Sequence, residues 1–193
     1  QVTPTRGWRS AMTLPRELVL ENTAKGPRLI QQLPNELQAL REEPQEIEIG
    51  TTPSQVLNLS PQQLELMLRA AVDERSRTRF GFELTNEAGE RYRIGYDAGT
   101  QNYFSDRRQA GKTDFSPQFA DSLHLAPKQL EGALITMQLV FDRSSVELLA
   151  DDGLVALTDC YFPNQDFTTI TYFVDSTDVS IQRLEAWELE GIW

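Results

Sequence analysis

The chain has 193 residues, of which 39% are hydrophobic and 24% charged, and its net charge is −11. This length suits one large domain or two small ones and lets roughly 70% of the unfolded surface be buried, so neither disorder nor a disulfide-stapled miniature fold is called for. The acidic balance argues against nucleic acid or an anionic membrane as partner and is compatible with neutral partners such as sugars.

The first eighteen residues end in Trp8-Arg9-Ser10-Ala11-Met12-Thr13-Leu14-Pro15-Arg16-Glu17-Leu18, a stretch dense in large anchors. Free N-termini are usually polar and frayed, so this one reads as the middle of something, with Leu14–Leu18 as an anchoring strand. No basic-then-apolar leader stands at the start, and no apolar run approaches the roughly 18 residues that span a membrane. Residues 34–41 suit a turn or two of helix with Asn35 near the cap. Arg41-Glu42-Glu43-Pro44 then breaks the apolar pattern. The chain divides there, into a connecting arm at 1–43 and a domain at 44–193.

From residue 64 onward, period-2 alternation dominates, and each run has strand length. The runs are Leu64–Val72, Phe80–Leu84, Tyr92–Tyr96, Ile135–Phe141, Val146–Ala150, Leu154–Leu157, Thr168–Val174 and Val179–Leu189. Turn residues separate them, among them Asn86–Gly89, Asp97-Ala98-Gly99, Asp151-Asp152-Gly153 and Pro163-Asn164. Residues 107–127 lack periodicity and read as a long loop, with a short helical piece at Leu123–Leu130. The pattern predicts an all-β fold: a two-sheet antiparallel β-sandwich of jelly-roll type with an N-terminal connecting arm.

Few residues carry chemistry. Cys160 is the single cysteine, so no intrachain disulfide can form; this fits a reducing compartment or a bacterial secreted protein that does without bridges. Its thiol is expected to act as a small buried hydrophobe. His124 is the single histidine, and no metal cluster or nucleophilic triad can be assembled around it. Glu46 and Glu48 share one strand face, a spacing that some sandwich glycosidases use, but no further carboxylate follows at i+4. The expected reading is a wet strand face over buried Ile47 and Ile49. Asp151-Asp152-Gly153 reads as a tight turn rather than a calcium loop. Tyr96, Tyr103, Phe104, Tyr161 and Trp187 are candidates for sugar stacking. Tyr103 and Phe104 are adjacent, so one of the two is expected to face solvent, although core or interface packing is the favoured role for the set.

Four segments, in order, resemble glycoside hydrolase family 32, the invertases, levanases and inulinases. The first is the Trp8–Leu18 stretch, which looks like the seam between that family's catalytic propeller and its C-terminal sandwich. Leu29–Arg41 looks like the family linker L-x-Q-x-P-x-x-E-L-x-x-L-R. Tyr92–Asp97 through Tyr103–Arg107 and on to Phe115 looks like its Y-D…D-R hairpin. Phe141–Leu148 looks like its D-x-S-S-V-E-x-F motif, with Leu149 where the family usually has Phe. Within that motif, Asp142 and the serines are expected to bond the turn backbone. Arg143 or Arg107 is expected to pair with a carboxylate on a rim.

Family 32 enzymes are retaining glycosidases, which need a nucleophilic carboxylate and an acid/base partner about 5 Å apart. The family's Asn-Asp-Pro, Arg-Asp-Pro and Glu-Cys segments do not occur here, and Asp159-Cys160 offers the wrong carboxylate. The resemblance therefore implies a C-terminal sandwich with no catalytic, cofactor-binding or metal-binding residue of its own. It would stabilise the propeller of a parent β-fructosidase acting on levan, inulin or sucrose, an enzyme that would be secreted or periplasmic in a bacterium. It also predicts an exposed apolar patch of several hundred Å² along the arm. The alternatives are an independent carbohydrate-binding module, with fructan as partner, and a complete small sandwich glycosidase.

Overall fold

A computed structural model describes residues 3–5, 11–23 and 25–191. Trp8, Arg9 and Ser10 of the opening stretch lie outside the described residues. The arm carries an antiparallel hairpin, β1 (Glu17–Thr23) and β2 (Gly26–Gln32), which forms a sheet by itself. A 3-10 turn of helix at Asn35–Leu40 follows. Next come β3 (Gln45–Glu46), β4 (Ser54–Leu57), β5 (Leu64–Val72), β6 (Arg79–Thr85), β7 (Arg91–Asp97) and β8 (Asn102–Gln109). The chain continues with β9 (His124–Pro127), β10 (Leu134–Asp142), β11 (Ser145–Ala150), β12 (Val155–Cys160), β13 (Thr169–Val174) and β14 (Val179–Glu188).

These strands form two six-stranded sheets, ordered β12-β11-β10-β5-β14-β3 and β4-β13-β6-β7-β8-β9, with antiparallel pairing between neighbours. The alternation read from sequence explains the packing. Leu64, Leu66 and Leu68 point inward from β5, and Leu139 and Ala186 flank Leu66 on the same face. They meet Phe80, Phe82, Leu84, Ile94 and Ile170 of the opposite sheet. Full burial of such side chains contributes about 1.5–3 kcal/mol each, and this core holds the two sheets face to face.

Several expectations are corrected. Residues 124–127 are not helical: β9 is an edge strand whose backbone pairs with β8, His124 opposite Ser105 and Pro127 opposite Asn102. Pairing across the sheet overrides the weak local helix signal, and Pro127 is tolerated because an edge strand leaves one side unpaired. Arg107 lies in β8 rather than in a loop, so the irregular stretch shrinks to residues 110–123. The 3-10 turn is capped by Pro34 without a side-chain bond, and Asn35 instead accepts from Gln38 Nε2 at 3.1 Å. Neither ring of the Tyr103-Phe104 pair faces solvent, since both are buried. Strands β1, β2, β4 and β8 complete the fold with little or no apolar alternation to announce them.

All five tyrosines of the chain, Tyr92, Tyr96, Tyr103, Tyr161 and Tyr172, are buried. Burial is the first cause that pushes each phenol upward, to about 12 at Tyr96 and Tyr172 and further at the other three. Neighbouring carboxylates add to the effect, Asp151 at Tyr96 and Tyr103 and Asp159 at Tyr92. The unfolded phenols ionise near pH 10. The stabilisation is thus complete below pH 10 and is lost as pH rises toward the folded values, by up to about 1.4 kcal/mol per pH unit for each tyrosine. Titration followed at 295 nm should show no ionisation step near pH 10. The phenolate signal should instead rise together with loss of the β-sheet circular dichroism at higher pH.

Candidate functional site

Two ion pairs fasten the arm to the outer face of the β12–β3 sheet. Alternation turns Val146 and Leu148 into the core and Glu147 outward. There the Arg16 Nη2 donates to Glu147 Oε2 at 2.5 Å and to Thr158 Oγ1, the neighbour on β12, at 2.7 Å. Arg16 Nη1 reaches Gln31 Oε1 on β2 at 2.7 Å, and the Leu14 backbone N–H donates to Glu147 Oε1. At the other end of the arm, Arg41 grips Glu65 of β5 with two bonds, Nε to Oε2 at 2.8 Å and Nη2 to Oε1 at 2.6 Å. Gln138 Nε2 also donates to Glu65 Oε1, at 2.7 Å. The Arg41 guanidinium stacks 4.3 Å from the centre of the Trp187 ring. Backbone bonds from Glu42 to Glu188 and from Glu190 to Leu40 complete this end.

Between the two pairs, the tight turn at Asp151–Gly153 supports β2. Gly153 has φ +94°, and a Cβ there would sit 2.2 Å from the Gln31 carbonyl oxygen. Only glycine lets the turn and the hairpin approach this closely. Asp151 is fully buried; Tyr103 Oη donates to it at 2.5 Å, and the backbone N–H groups of Gln129 and Leu130 do so as well.

The hairpin so placed has an inverted pattern. Val19 and Ile30 pair across it, and Ile30 reaches Gly153 and is buried at 7% exposure. On the other face lie Leu18, Leu20 and Leu29, at 61%, 72% and 51% exposure, with Leu20 opposite Leu29 in the register. Val19 (38%) and Met12 (94%) add to the exposed apolar surface of the arm. A cavity of about 600 Å³ opens between the arm and the outer sheet face, with Gln31, Gln38 and Arg41 on one wall and Arg69, Gln138 and Arg183 on the other.

The remaining sequence candidates are dispersed. Glu46 and Glu48 are both exposed, only Glu46 lies within β3, and neither carboxylate has a hydrogen-bond partner among the described residues. His124 Nδ1 lies 2.7 Å from Asp159 Oδ1, inside a network in which Ser105 donates to Asp159 Oδ2 and Tyr92 Oη lies 2.7 Å from Ser105 Oγ. Arg107 pairs with Asp159 at 3.2 Å and stacks 3.8 Å from Phe119, so its carboxylate partner is buried rather than on a rim. Arg143 is exposed without an ion-pair partner among the described residues, while Asp142 accepts its own turn's N–H at 2.7 Å. Cys160 is half-buried rather than buried, and desolvation raises its thiol pKa despite the opposing charge of Arg107. The stacking candidates Tyr96, Tyr103, Phe104, Tyr161 and Trp187 are all buried. No cluster of three or more metal-ligating side chains occurs among the described residues.

The arm's partners were not legible in the sequence. Glu65, Met67 and Arg69 read as an ordinary wet strand face, and nothing local marks Glu65 as buried. The one usable signal is a polar Glu-x-Met-x-Arg row beside a linker that carries its own arginine.

The family model described as "Glycosyl hydrolases family 32 C terminal" matches residues 36–188. A levanase from Bacillus sp. (strain L7) is 31% identical over 205 residues, covering 98% of this chain and 21% of the relative. A levanase from Bacillus subtilis (strain 168) is 28% identical, covering 98% of this chain and 29% of the relative. The chain thus spans between a fifth and a third of the length of these relatives. The crystal structure of an exo-inulinase from Aspergillus awamori superposes with a TM-score of 0.79 at 24% identity, over 99% of this chain and 38% of that one, a likeness of fold.

Replacing Glu147 by Ala removes the acceptor for both Leu14 and Arg16, whose guanidinium is left partly buried without its counter-charge. Such losses cost about 3–5 kcal/mol when the pair is fully buried and less where water reaches it, as here. Limited proteolysis of Glu147→Ala should cut within residues 17–32 several-fold faster than in the parent chain, while the sandwich core stays resistant. Equal cleavage rates would show that the ion pair does not seat the arm.

Proposed function

Because the chain belongs to the C-terminal domain family of the family 32 glycosyl hydrolases, we propose that it is the non-catalytic sandwich of a larger β-fructosidase and serves to hold and stabilise that enzyme's catalytic domain. The observation that carries this reading is the outward apolar face of the hairpin, Leu18, Leu20 and Leu29. Chains that fold alone rarely present clustered large aliphatics on a rigidly seated element; such patches mark interfaces. The relatives extend far beyond the matched segment, and their additional length supplies an occupant. In this reading residues 1–43 are the connecting arm and 44–193 the sandwich proper. The parent's substrate is a fructan such as levan or inulin, or sucrose, in keeping with the names of the levanase and exo-inulinase relatives.

The disposition of carboxylates supports a structural role. Retaining glycosidases need a free carboxylate facing a carboxylic acid across about 5 Å. Here the buried carboxylates Glu65, Asp97, Glu147, Asp151 and Asp159 each accept bonds from arginine, hydroxyl or backbone donors. Their oxygens are occupied by fixed donors, which suits a scaffold and not a nucleophile or an acid.

Two measurements test the proposal. The 193-residue chain incubated with levan, inulin or sucrose should release no fructose above background, and turnover at ordinary enzymatic rates would refute it. In the whole enzyme, Leu18→Asp with Leu20→Asp should lower the temperature of inactivation by at least about 5 °C, since loss of 1 kcal/mol shifts a domain of this size by about 2–4 °C. The same pair of changes should leave the melting of the 193-residue chain within about 1 °C, because both side chains are exposed there. An unchanged whole enzyme would remove the hairpin from the interface.

A further inference from the structure

We propose that the cavity between the arm and the outer sheet face is a binding site for a neutral fructan-type oligosaccharide. Its volume of about 600 Å³ lies within the usual range for small-ligand sites. Its charges cancel: the guanidiniums of Arg41, Arg69 and Arg183 are balanced by Asp152 and Glu185 on the lining and by Glu65, which Arg41 holds. In a chain of net charge −11, a locally neutral cavity selects neither anions nor cations. It is instead rich in groups that suit hydroxyls. Gln31, Gln32, Gln38 and Gln138 line it; Arg16, Asn35 and Glu65 engage one amide atom each of Gln31, Gln38 and Gln138, and the remaining amide atoms can donate to or accept from hydroxyls.

Part of this equipment is preorganised and unspent. Gln138 is fixed through its nitrogen, which donates to Glu65, leaving its Oε1 as an acceptor. Arg69 uses only Nε, toward Gln182 at 3.2 Å, and its two Nη groups have no partner among the described residues. Arg183 commits one Nη to Glu185 in an exposed pair that is worth little by itself. Met67 and Leu149, which share the outer face with Gln138, supply an apolar surface against which the C–H faces of a sugar can lie. No aromatic residue lines the cavity among the described residues, and the Trp187 ring is covered by Arg41. Recognition therefore runs through hydrogen bonds without ring stacking on Trp187.

The two walls come from different parts of the chain, Gln31, Gln38 and Arg41 from the arm and Arg69, Gln138 and Arg183 from the sandwich. A bound oligosaccharide would bridge them and reinforce the seat described above. The choice of fructan among neutral sugars rests on the parent activity proposed above; the hydroxyl-binding character rests on the cavity alone.

Affinity electrophoresis of the 193-residue chain in gels containing levan, inulin or hydroxyethylcellulose tests the site. Retardation by levan or inulin, weakened at least about ten-fold in apparent affinity by Arg69→Ala with Arg183→Ala at unchanged melting temperature, is the expected result. Both arginines are exposed, so the fold should tolerate their loss. Migration unaffected by either fructan, retardation by hydroxyethylcellulose alone, or equal retardation of parent and variant would each overturn the proposal. None of these outcomes bears on the docking role, which is read from the inactivation temperature of the whole enzyme.

Discussion

Two glutamates on the outer face of one sheet, Glu65 and Glu147, are buried beneath a segment that precedes the sandwich. Taking a carboxylate out of water is costly, and that cost is recovered only when a counter-charge and well-aimed donors replace the lost hydration. Arg41 and Arg16 supply both, with bidentate geometry at Glu65 and a second donor from the Leu14 backbone at Glu147. The arm is therefore not free to lie elsewhere: either guanidinium moved away leaves a buried charge without its partner. Such pairs add little net stability compared with apolar packing, but they are strongly position-selective. Here they determine where the arm lies.

That constraint propagates. With its ends pinned at Arg16 and Arg41, β2 is pressed against the turn at Asp151–Gly153, where a glycine at φ +94° gives the Gln31 carbonyl room. The turn is itself held from inside, since Asp151 collects bonds from Tyr103 in one sheet and from the Gln129–Leu130 backbone. Hydrogen bonds thus link β8 to Asp151 and its turn, and the close packing of Gly153 against Gln31 and Ile30 carries the support on to the hairpin. The hairpin consequently presents its leucines in a fixed orientation rather than as a flickering tail. A rigid apolar face loses less entropy on docking than a flexible one, which is why the seat matters as much as the patch.

Most of the sandwich was legible in the sequence because its core obeys a rule of period two: Leu64–Val72, Ile135–Phe141 and Val146–Ala150 declare their inward faces. The hairpin β1–β2 was hidden for the opposite reason. Ile30 turns toward the sandwich while Leu18, Leu20 and Leu29 are exposed on the other face, so its apolar residues do not gather on one inward face as those of the core strands do. Strand β9 was hidden because its four residues are defined by pairing with β8 rather than by their own propensities. At Tyr103-Phe104, simple alternation would have exposed one ring, but Phe104 on the outer face is buried as well, at 5% exposure. Glu65 failed to stand out because burial of a charged residue on a strand's outer face depends on what lies above it. That is a long-range fact, set by Arg41 and Trp187.

Carboxylates in this molecule illustrate how one residue type divides between architecture and chemistry. A catalytic carboxylate must be able to change its state, by accepting a proton or attacking a carbon, and so must keep an open approach and a tunable environment. Glu65 and Glu147 have neither, because strong cationic donors occupy the oxygens that a substrate would need. Asp159 is held by Arg107, His124 and Ser105, and it stabilises the contact between β8, β9 and β12 in the same way. Glu46 and Glu48 remain open to solvent, and neither carboxylate has a hydrogen-bond partner among the described residues. The chain thus spends its buried charge on fixing one segment against another. The groups left with unused hydrogen-bonding capacity, the arginines and glutamines of the cavity under the arm, are suited to holding a ligand and not to transforming it.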